Sequence, residues 1–295
     1  MNLLKSLIFA CLVLLSEVSF STIYGEDTRL DRFEFSTPSV LALSSSSVAL
    51  ISPSTITPMN DRFVKLQGPT LAASESLCSG ERFENQPVLA LCSGVLIAKD
   101  IVLTAGHCVP NEEQCQSTKF VFGLELENET QIDVLVTHKN IYDCGELLYT
   151  QSGNAKENIA DFALIRLARP VDDHPIAKID RSSKLLTGTK LMAFGYPNGI
   201  PLKYIDGNIR SNNLDLPFFV TNLGSFNRNS GSPVFDSETG GLQGILFDGE
   251  EDFVLDGQCF RAKHCSLDGC HGESVTRILA VLPILDQLEV QLHSK

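Results

Sequence analysis

The sequence is poor in positive charge and in long apolar segments. It carries 23 lysine and arginine residues against 36 aspartate and glutamate residues, a formal net charge of −13 at pH 7. Nucleic acids and anionic membranes bind basic surfaces, so this deficit argues against both as partners. After one N-terminal run, no second apolar stretch is long enough to cross a bilayer. The excess acid is expected to keep the protein soluble outside the cell or, alternatively, to attract basic substrates.

The single apolar run lies in a segment with the features of a secretory signal. Residues 1–21 contain one lysine, an apolar stretch from Leu7 to Leu15, and small residues at Ser19 and Ser21 spaced like a cleavage site. A lipid anchor at Cys11 is the weaker alternative, since few apolar residues precede that cysteine. We therefore predict a secreted protein, extracellular or periplasmic, whose mature chain lacks this segment.

Eight cysteines remain once residues 1–21 are removed. They are Cys78, Cys92, Cys108, Cys115, Cys144, Cys259, Cys265 and Cys270. An even number of cysteines in an exported chain indicates disulfides. The last three lie close in sequence to two histidines. Cysteine and histidine are both zinc ligands, so a zinc site is the alternative to disulfides in this segment. The chain lacks two clean C-x-x-C pairs, so we favour disulfides and expect neither a metal nor an organic cofactor.

Short runs rich in β-branched residues recur between turn signals from Val88 onward. They are centred on Val95–Ile97, Ile101–Leu103, Phe120–Phe122, Ile132–Val136, Phe162–Leu167, Leu191–Phe194, Phe218–Val220 and Gly244–Phe247. Many short strands without intervening amphipathic helices predict an all-β barrel architecture.

The two ends of the chain differ from this pattern. Residues 22–82 are rich in serine, threonine and proline, which is typical of a pro-segment or of an extension packed on the barrels. The main domain is then expected over 83–295. Near its end, residues 274–292 place apolar side chains at helical spacing, with Pro283 as a break, and predict a C-terminal helix.

Three motifs carry the chemistry. The segment T-A-G-H-C contains His107, D-F-A-L-I-R-L begins at Asp161, and N-S-G-S-P-V-F contains Ser230. A serine hydroxyl is a weak nucleophile at neutral pH, so it needs a base to take its proton and a carboxylate to orient that base. These three residue types meet that need, and they are our candidate catalytic residues.

Each candidate has a nearby rival. Ser232 follows Ser230 by two positions, and Glu157 and Asp133 are the acids that compete with Asp161. The carboxylate of Asp161 precedes a continuous apolar strand, where it is costly without partners. A role in orienting the histidine accounts for that position better than chance does.

The motifs and their order resemble the trypsin-like (chymotrypsin-fold) serine peptidases, especially the secreted bacterial branch, over about residues 83 to 290. Members of this family run His, Asp, Ser along the chain, whereas α/β-hydrolases and subtilisins use other orders. The resemblance implies two six-stranded antiparallel Greek-key barrels with a C-terminal helix. It also implies a disulfide between Cys92 and Cys108; Cys115 with Cys144 is a plausible second pair within the first barrel.

The sequence departs from the family around the nucleophile. The oxyanion hole would use the backbone N–H groups of Ser230 and Arg228, but trypsins have glycine at the second position. Arginine lacks the conformational freedom of glycine, so we hypothesise that this peptide flips only when substrate binds. Asn229 replaces the aspartate that captures a new N-terminus after zymogen cleavage, so activation by that salt bridge is not expected.

The substrate pocket is the least determined part of the site. By resemblance its residues are Gly224, Ser225, Leu246 and Asp248. Gly224 stands where trypsins place their aspartate, and Leu246 where glutamyl endopeptidases use histidine, so neither specificity is supported. Phe247 replaces a serine that hydrogen-bonds the catalytic aspartate in trypsins, which leaves Asp161 dependent on other donors. Two readings of Asp248 and the acidic run 250–252 remain open: a solvated loop, which we favour, or a part of the cleft that prefers a basic residue.

The sequence therefore predicts a secreted serine endopeptidase that cleaves protein or peptide substrates through a His-Asp-Ser triad and an acyl-enzyme. Two alternatives remain. One is a catalytically weak or inactive peptidase fold that binds a protein, for which Arg228 and Phe247 are the motivation. The other is an ester hydrolase with the same triad, although no lipid-binding surface is evident.

Overall fold

The computed structural model describes residues 22–131, 133–182 and 185–288, so the expected signal at 1–21 lies outside the described residues. These residues form four α-helices: α1 Pro38–Ser44, α2 Leu71–Glu75, α3 Glu112–Gln116 and α4 Ile278–Gln287. Their twenty strands are β1 Ile23–Tyr24, β2 Leu30–Asp31, β3 Ser47–Ile51, β4 Ile56–Pro58, β5 Phe63–Leu66, β6 Ala90–Ala98, β7 Ile101–Thr104, β8 Lys119–Val121, β9 Val134–Thr137, β10 Ile141–Gln151, β11 Phe162–Leu167, β12 Lys190–Gly195, β13 Lys203–Ser211, β14 Phe218–Thr221, β15 Pro233–Asp236, β16 Leu242–Asp248, β17 Phe253–Asp256, β18 Cys259–Ala262, β19 His264–Cys265 and β20 Glu273–Arg277.

Two closed six-stranded antiparallel barrels make up most of the molecule, as predicted. The first has the order β10-β11-β7-β6-β3-β8, and the second has the order β12-β15-β16-β20-β14-β13 and closes through β12 and β13. Apolar side chains such as Val95, Leu164 and Ile245 are fully buried between them and within them. Seven of the eight runs predicted as strands lie in barrel strands, although Phe122 falls just past the end of β8. The eighth run, 132–136, lies outside the barrels at β9 in the three-stranded sheet β4-β5-β9, and its Ile132 is not described.

The N-terminal segment is part of the folded unit. Strand β3 pairs with β6 and β8 and completes the first barrel, while β2 pairs with β13 at the edge of the second. The expected boundary at residue 83 therefore falls inside the first barrel. The serine-rich composition of residues 44–47 obscured the apolar run 48–51 as a barrel strand.

The C-terminal helix is confirmed but begins later than the periodicity predicts. Residues 274–277 belong to β20, which pairs with β14 and β16, and α4 starts only at Ile278. Residues of β20 are buried on both faces, and Val275 is the one apolar residue among them, so periodicity does not distinguish this strand from the first turn of the following helix. Across the described residues, we find no helix with the length and apolarity that a membrane span requires.

Four disulfides connect the eight cysteines of the described chain. The pairs Cys92–Cys108 and Cys115–Cys144 match the expected ones. Of the C-terminal cysteines, Cys265 pairs locally with Cys270, whereas Cys259 pairs with Cys78, 181 positions away. No thiolate is therefore left at these positions for a zinc ion.

A buried ion pair fastens the N-terminal segment to the second barrel. Lys203 on β13 is fully buried, and its Nζ donates to Asp31 Oδ1 (2.6 Å), Gln86 Oε1 (2.7 Å) and the Pro201 carbonyl (2.8 Å). Burial lowers the pKa of Lys203 to about 8, although the charge of Asp31 opposes this shift.

This lowered pKa predicts a pH dependence of stability. Between about pH 8 and pH 10 the unfolded chain keeps the lysine proton that the folded chain releases, so the free energy of unfolding rises with pH. We expect this group to contribute a rise of about 2 kcal/mol. Urea denaturation of the wild type and of Lys203→Met isolates it, because other groups titrate equally in both. If the difference in free energy of unfolding between the wild type and Lys203→Met does not change with pH over this range, the prediction is wrong.

Candidate active site

The three candidate catalytic residues come from both barrels. His107 lies in a 3₁₀ turn, Gly106–Cys108, just after β7, and Asp161 immediately precedes β11. Ser230 lies just before β15 of the second barrel. His107 and Ser230 line one cavity of about 220 Å³. The cavity thus lies where the two barrels meet.

Asp161 is fully buried and held by several N–H donors. Its Oδ1 accepts from the backbone of Gly106 (2.5 Å) and His107 (3.3 Å), and its Oδ2 accepts from the backbone of Gly153 (3.0 Å). Its own backbone is tied to Thr276 of β20 in the second barrel. Trypsins have a serine donor at the position that Phe247 occupies here. The backbone donors take over its role, so the carboxylate of Asp161 keeps its hydrogen bonds without that serine.

The same carboxylate fixes the histidine. His107 Nδ1 lies 3.1 Å from Asp161 Oδ2. An ionised carboxylate only accepts hydrogen bonds, so Nδ1 carries the proton and Nε2 is left with a free lone pair. With 43% of its side chain exposed, His107 faces the cavity while Asp161 stays behind it. The arrangement can deliver a base to a hydroxyl in the cavity.

A glycine is required at the turn before the histidine. A Cβ on Gly106 would stand 2.1 Å from the Gln151 carbonyl oxygen, closer than any contact allows. The glycine of T-A-G-H-C therefore lets the turn approach β10, which brings its N–H to Asp161.

The turn that carries Ser230 is anchored to the first barrel. The Ser230 carbonyl accepts from Ser93 N on β6 (2.8 Å), and the Gly231 N–H donates to the Leu246 carbonyl (2.7 Å). Gly231 has φ of +88°, and a Cβ there would lie 2.0 Å from the Ser93 oxygen. This packing fixes the turn with the Ser230 side chain toward the cavity.

The rival residues lie elsewhere. Ser232 is fully buried, and its hydroxyl bonds Asn229 Oδ1 (3.3 Å) rather than lining the cavity. Asp133 is exposed and pairs with Lys65 (2.6 Å) in the three-stranded sheet β4-β5-β9. Glu157 is likewise exposed. None of the three stands beside His107.

Arg228 adopts a conformation that glycine prefers, with φ of +67°. Its backbone N–H donates to the side-chain Oδ1 of its neighbour Asn227 (2.8 Å), and Asn227 also lines the cavity. The Arg228 carbonyl accepts from Ser93 Oγ (3.1 Å). The backbone N–H of Arg228, which is the second expected donor of the oxyanion hole, is therefore hydrogen-bonded to the side chain of Asn227 in this state.

Three of the four expected pocket residues line the cavity. Ser225 and Leu246 are buried in its wall, and Asp248 lies at its side, where burial raises the pKa of the carboxyl. Gly224 does not belong with them. It lines a separate cavity of about 590 Å³ together with Tyr24 and Asp206. The position that holds the aspartate in trypsins therefore does not face the cavity that His107 and Ser230 line.

Glu273 is the pocket residue that the sequence did not reveal. It is fully buried at the start of β20, it lines the cavity, and its Oε2 accepts from Ser225 Oγ (2.7 Å). The sequence predicted a helix from residue 274. Glu273 was therefore not expected to begin a strand that lines the pocket.

One group of potential metal ligands lies close together among the described residues: Cys92, His107 and Cys108. Both sulfur atoms belong to one disulfide, so neither is a thiolate that can bind a metal ion. The disulfide instead packs beneath Ser230, with Cys108 Sγ 3.7 Å from the Ser230 carbonyl oxygen.

Solved structures with a similar fold include several at low sequence identity. A Glu endopeptidase solved in complex with MPD is 18% identical with a TM-score of 0.52, and the match covers 91% of this chain and 100% of that chain. Human heparin binding protein is 12% identical with a TM-score of 0.53, over 91% and 99%. The VesB protease of Vibrio cholerae is 14% identical with a TM-score of 0.52, over 90% and 68%. These identities establish the fold alone.

The sequence comparisons identify the family. No curated protein matches the chain. The family model of the trypsin-like peptidase domain matches residues 92–245, more than half of the chain, and this segment contains His107, Asp161 and Ser230. The chain therefore belongs to the trypsin-like peptidase family.

Proposed function

We propose that this protein is a secreted serine endopeptidase. The observation that carries the proposal is the hydrogen-bonded pair His107–Asp161 beside Ser230 at one cavity between the barrels. A nucleophile, a base and a group that orients the base are the parts that acyl transfer needs. Membership of a peptidase family makes a peptide carbonyl the natural electrophile.

In the proposed mechanism, Ser230 Oγ attacks the scissile carbonyl while His107 Nε2 takes its proton. The imidazolium then gives that proton to the leaving amine, and a water molecule repeats the sequence on the acyl-enzyme. Asp161 holds the imidazole in the required tautomer and stabilises its positive charge. The amides of Gly106 and Gly153 hold Asp161 in turn.

The oxyanion that forms would bind to the amides of Ser230 and Arg228. The Arg228 N–H is paired with Asn227 Oδ1, so the substrate oxygen has to displace this side chain. One such donor is worth about 3 to 4 kcal/mol of transition-state stabilisation. A structure with a bound phosphonate tests this step. A phosphonyl oxygen with no contact to Arg228 N excludes the proposed donor.

We also propose that the mature enzyme keeps residues 22–82. Their removal would take β3 out of the first barrel. The cleaved segment would stay linked to the rest of the protein only through the disulfide between Cys78 and Cys259. We expect the intact mass of active secreted protein to include this segment, with a start near residue 22. An active form that begins at Phe83, with Cys78 absent, contradicts this expectation.

Cleavage of a mixed peptide library tests the proposed function. The secreted wild type and its Ser230→Ala variant are incubated with the library, and cut sites are read by mass spectrometry. We expect internal cuts from the wild type alone, because Ser230 supplies the nucleophile. Equal cuts from both proteins, or none from folded wild type, rule the proposal out.

A peptidase fold that only binds a protein is the second candidate. The specific observation in its favour is the paired Arg228 N–H, which leaves the oxyanion hole incomplete in this state. It predicts no library cuts from folded wild-type protein that keeps its N-terminal segment. The His107–Asp161 hydrogen bond and the presence of His107 and Ser230 at one cavity favour the enzyme.

A further inference from the structure

The acidic run 250–252 is not the solvated loop that the sequence favours. Glu251 is exposed, but Glu250 and Asp252 are buried where the chain passes from β16 to β17. Glu250 bonds a cation, since its Oε2 accepts from Lys263 Nζ (2.8 Å). A buried carboxyl is costly unless its oxygens are bonded, so the partners of Asp252 show what its position serves.

Asp252 bonds the chain beside Ser230. Its Oδ2 accepts from the backbone N–H of Asn227 (2.8 Å), whereas Oδ1 has no hydrogen-bond partner among the residues that the structure describes. Arg29 acts on the charge of Asp252, but its side chain bonds Asp27 through two nitrogens (2.8 Å each). Burial raises the pKa of the Asp252 carboxyl well above its usual range, against the Asn227 bond. A carboxyl with its proton on Oδ1 still accepts at Oδ2, so this bond does not depend on charge.

The backbone of Asn227 is held at both of its polar groups. Its N–H donates to Asp252, and its carbonyl accepts from Asn198 N (2.6 Å). This carbonyl shares a planar peptide with the Arg228 N–H, the second expected oxyanion donor, so a fixed carbonyl also fixes the direction of that N–H. The Asn227 side chain is the part that covers the donor, with Oδ1 accepting from the Arg228 N–H (2.8 Å). Rotation of this side chain therefore frees the donor without a peptide flip.

Arg228 needs support from its surroundings. Its φ of +67° is a conformation that a residue with a Cβ keeps only where the structure around it holds it. On the side of the first barrel, the Arg228 carbonyl accepts from Ser93 Oγ (3.1 Å). On the other side, the chain before Arg228 is held through Asn227 and its bond to Asp252. Without the Asp252 oxygen, this chain can turn until the Asn227 N–H meets another acceptor.

We propose that Asp252 is a positioning residue: its carboxyl fixes the Asn227 backbone, so that the Arg228 N–H stays in the oxyanion hole once the Asn227 side chain has moved away. The inference rests on the proposed function, since it concerns the same reaction. Asp252 does not line the cavity of His107 and Ser230, so it acts through Asn227 and not on the substrate.

Two substitutions at Asp252 test the role of its oxygen. Asp252→Ala removes the acceptor, and we expect kcat for a peptide taken from the library to fall about 10- to 100-fold with KM within about threefold, because an oxyanion donor acts in the transition state. The loss is smaller than the roughly 10²- to 10³-fold of a missing donor, since the Arg228 N–H is still present. Asp252→Asn keeps an oxygen for the Asn227 N–H and should retain kcat within about threefold of wild type.

Glu251→Ala is the matched control. It removes an exposed carboxylate one position away, and we expect it to leave kcat and KM unchanged. Titration with a phosphonate that labels Ser230 corrects every rate for the folded fraction.

A pair of inhibitors separates positioning from a general effect on the pocket. A peptide aldehyde with the sequence of the cleaved peptide reacts with Ser230: Oγ bonds the aldehyde carbon, its proton passes to His107, and the former carbonyl oxygen lies at the donors. The matching peptide alcohol fills the same pocket but forms no such bond. We expect Asp252→Ala to weaken the aldehyde at least about 10-fold and the alcohol less than about threefold, because only the aldehyde resembles the transition state.

The outcomes separate the inference from the proposed function. Asp252→Ala with the kcat of the wild type overturns the inference while the peptidase stands, and so do equal losses of aldehyde and alcohol binding, since Asp252 then shapes the pocket. Equal losses of kcat in the alanine and asparagine variants overturn the role of the oxygen. No cleavage of any peptide by folded wild type, together with an uncut library, fails the proposed function and this inference with it.

A second measurement applies if Asp252→Ala does not fold. Hydrogen exchange of the Asn227 amide is then followed in the wild type with the aldehyde bound, beside kcat of Asp252→Asn. We expect a protected amide, because the bond to Asp252 persists during the reaction, and kcat within about threefold of wild type. An unprotected Asn227 amide, or a loss of kcat above about 10-fold in Asp252→Asn, overturns the inference.

Discussion

Replacement of Ser230 with alanine is expected to lower kcat/KM for a cleaved peptide by about 10⁶-fold. Ser230 is the hydroxyl that lies with His107 in the catalytic cavity, whereas Ser232 is buried and bonded to Asn229. Without this hydroxyl no acyl-enzyme forms, and only substrate binding and the oxyanion donors remain. Steady-state rates with a peptide taken from the library measure the loss.

The pair His107→Ala and Ser230→Ala provides the internal control. The two residues act as one unit, so each single variant should lose about as much activity as the double variant. Circular dichroism and intact disulfides show that each variant is folded. A Ser230→Ala protein that keeps more than about 1% of wild-type activity contradicts the assigned nucleophile, since that residue would account for too little of the rate.

Asp161→Asn is expected to lower kcat by about 10⁴-fold. Asp161 Oδ2 faces His107 Nδ1 and the Gly153 N–H, and both need an acceptor. An amide NH₂ at this position faces donors instead, so the imidazole loses the tautomer that leaves Nε2 free. The buried mismatch should also cost about 1 to 3 kcal/mol of stability.

Asp133→Asn is the matched control for this change. It is also an aspartate that directly precedes a strand, here β9, but it is exposed and its carboxylate pairs with surface Lys65. A surface pair contributes little, so we expect activity within about twofold of wild type and stability within about 1 kcal/mol. Equal losses in the two variants remove Asp161 from its proposed role.

The sequence predicted the candidate triad because each motif determines its own local backbone. Gly106 allows the close turn before His107, and Gly231 allows the positive φ after Ser230. Such requirements are visible as residue types at fixed spacing. Their order along the chain then selects the family, and the structure brings the three residues together. Their catalytic role stays a prediction until the variants are measured.

The pocket was not predictable in the same way, because it depends on barrel closure. Glu273 reaches the cavity only through the pairing of β20 with β14 and β16, and nothing local at residue 273 indicates that neighbour set. Gly224 was placed there by resemblance alone, and the structure turns it toward another cavity. Likewise, β3 is recognisable as a barrel strand only once β6 and β8 flank it.

Reaction with a fluorophosphonate is the measurement that tests the central claim most directly, because the reagent labels only a serine that a base has activated. Peptide mapping by mass spectrometry then locates the adduct. The account predicts a single adduct on Ser230 of the wild type and none on the His107→Ala variant. A folded wild-type protein that stays unlabelled, or that carries the adduct on another residue, contradicts it.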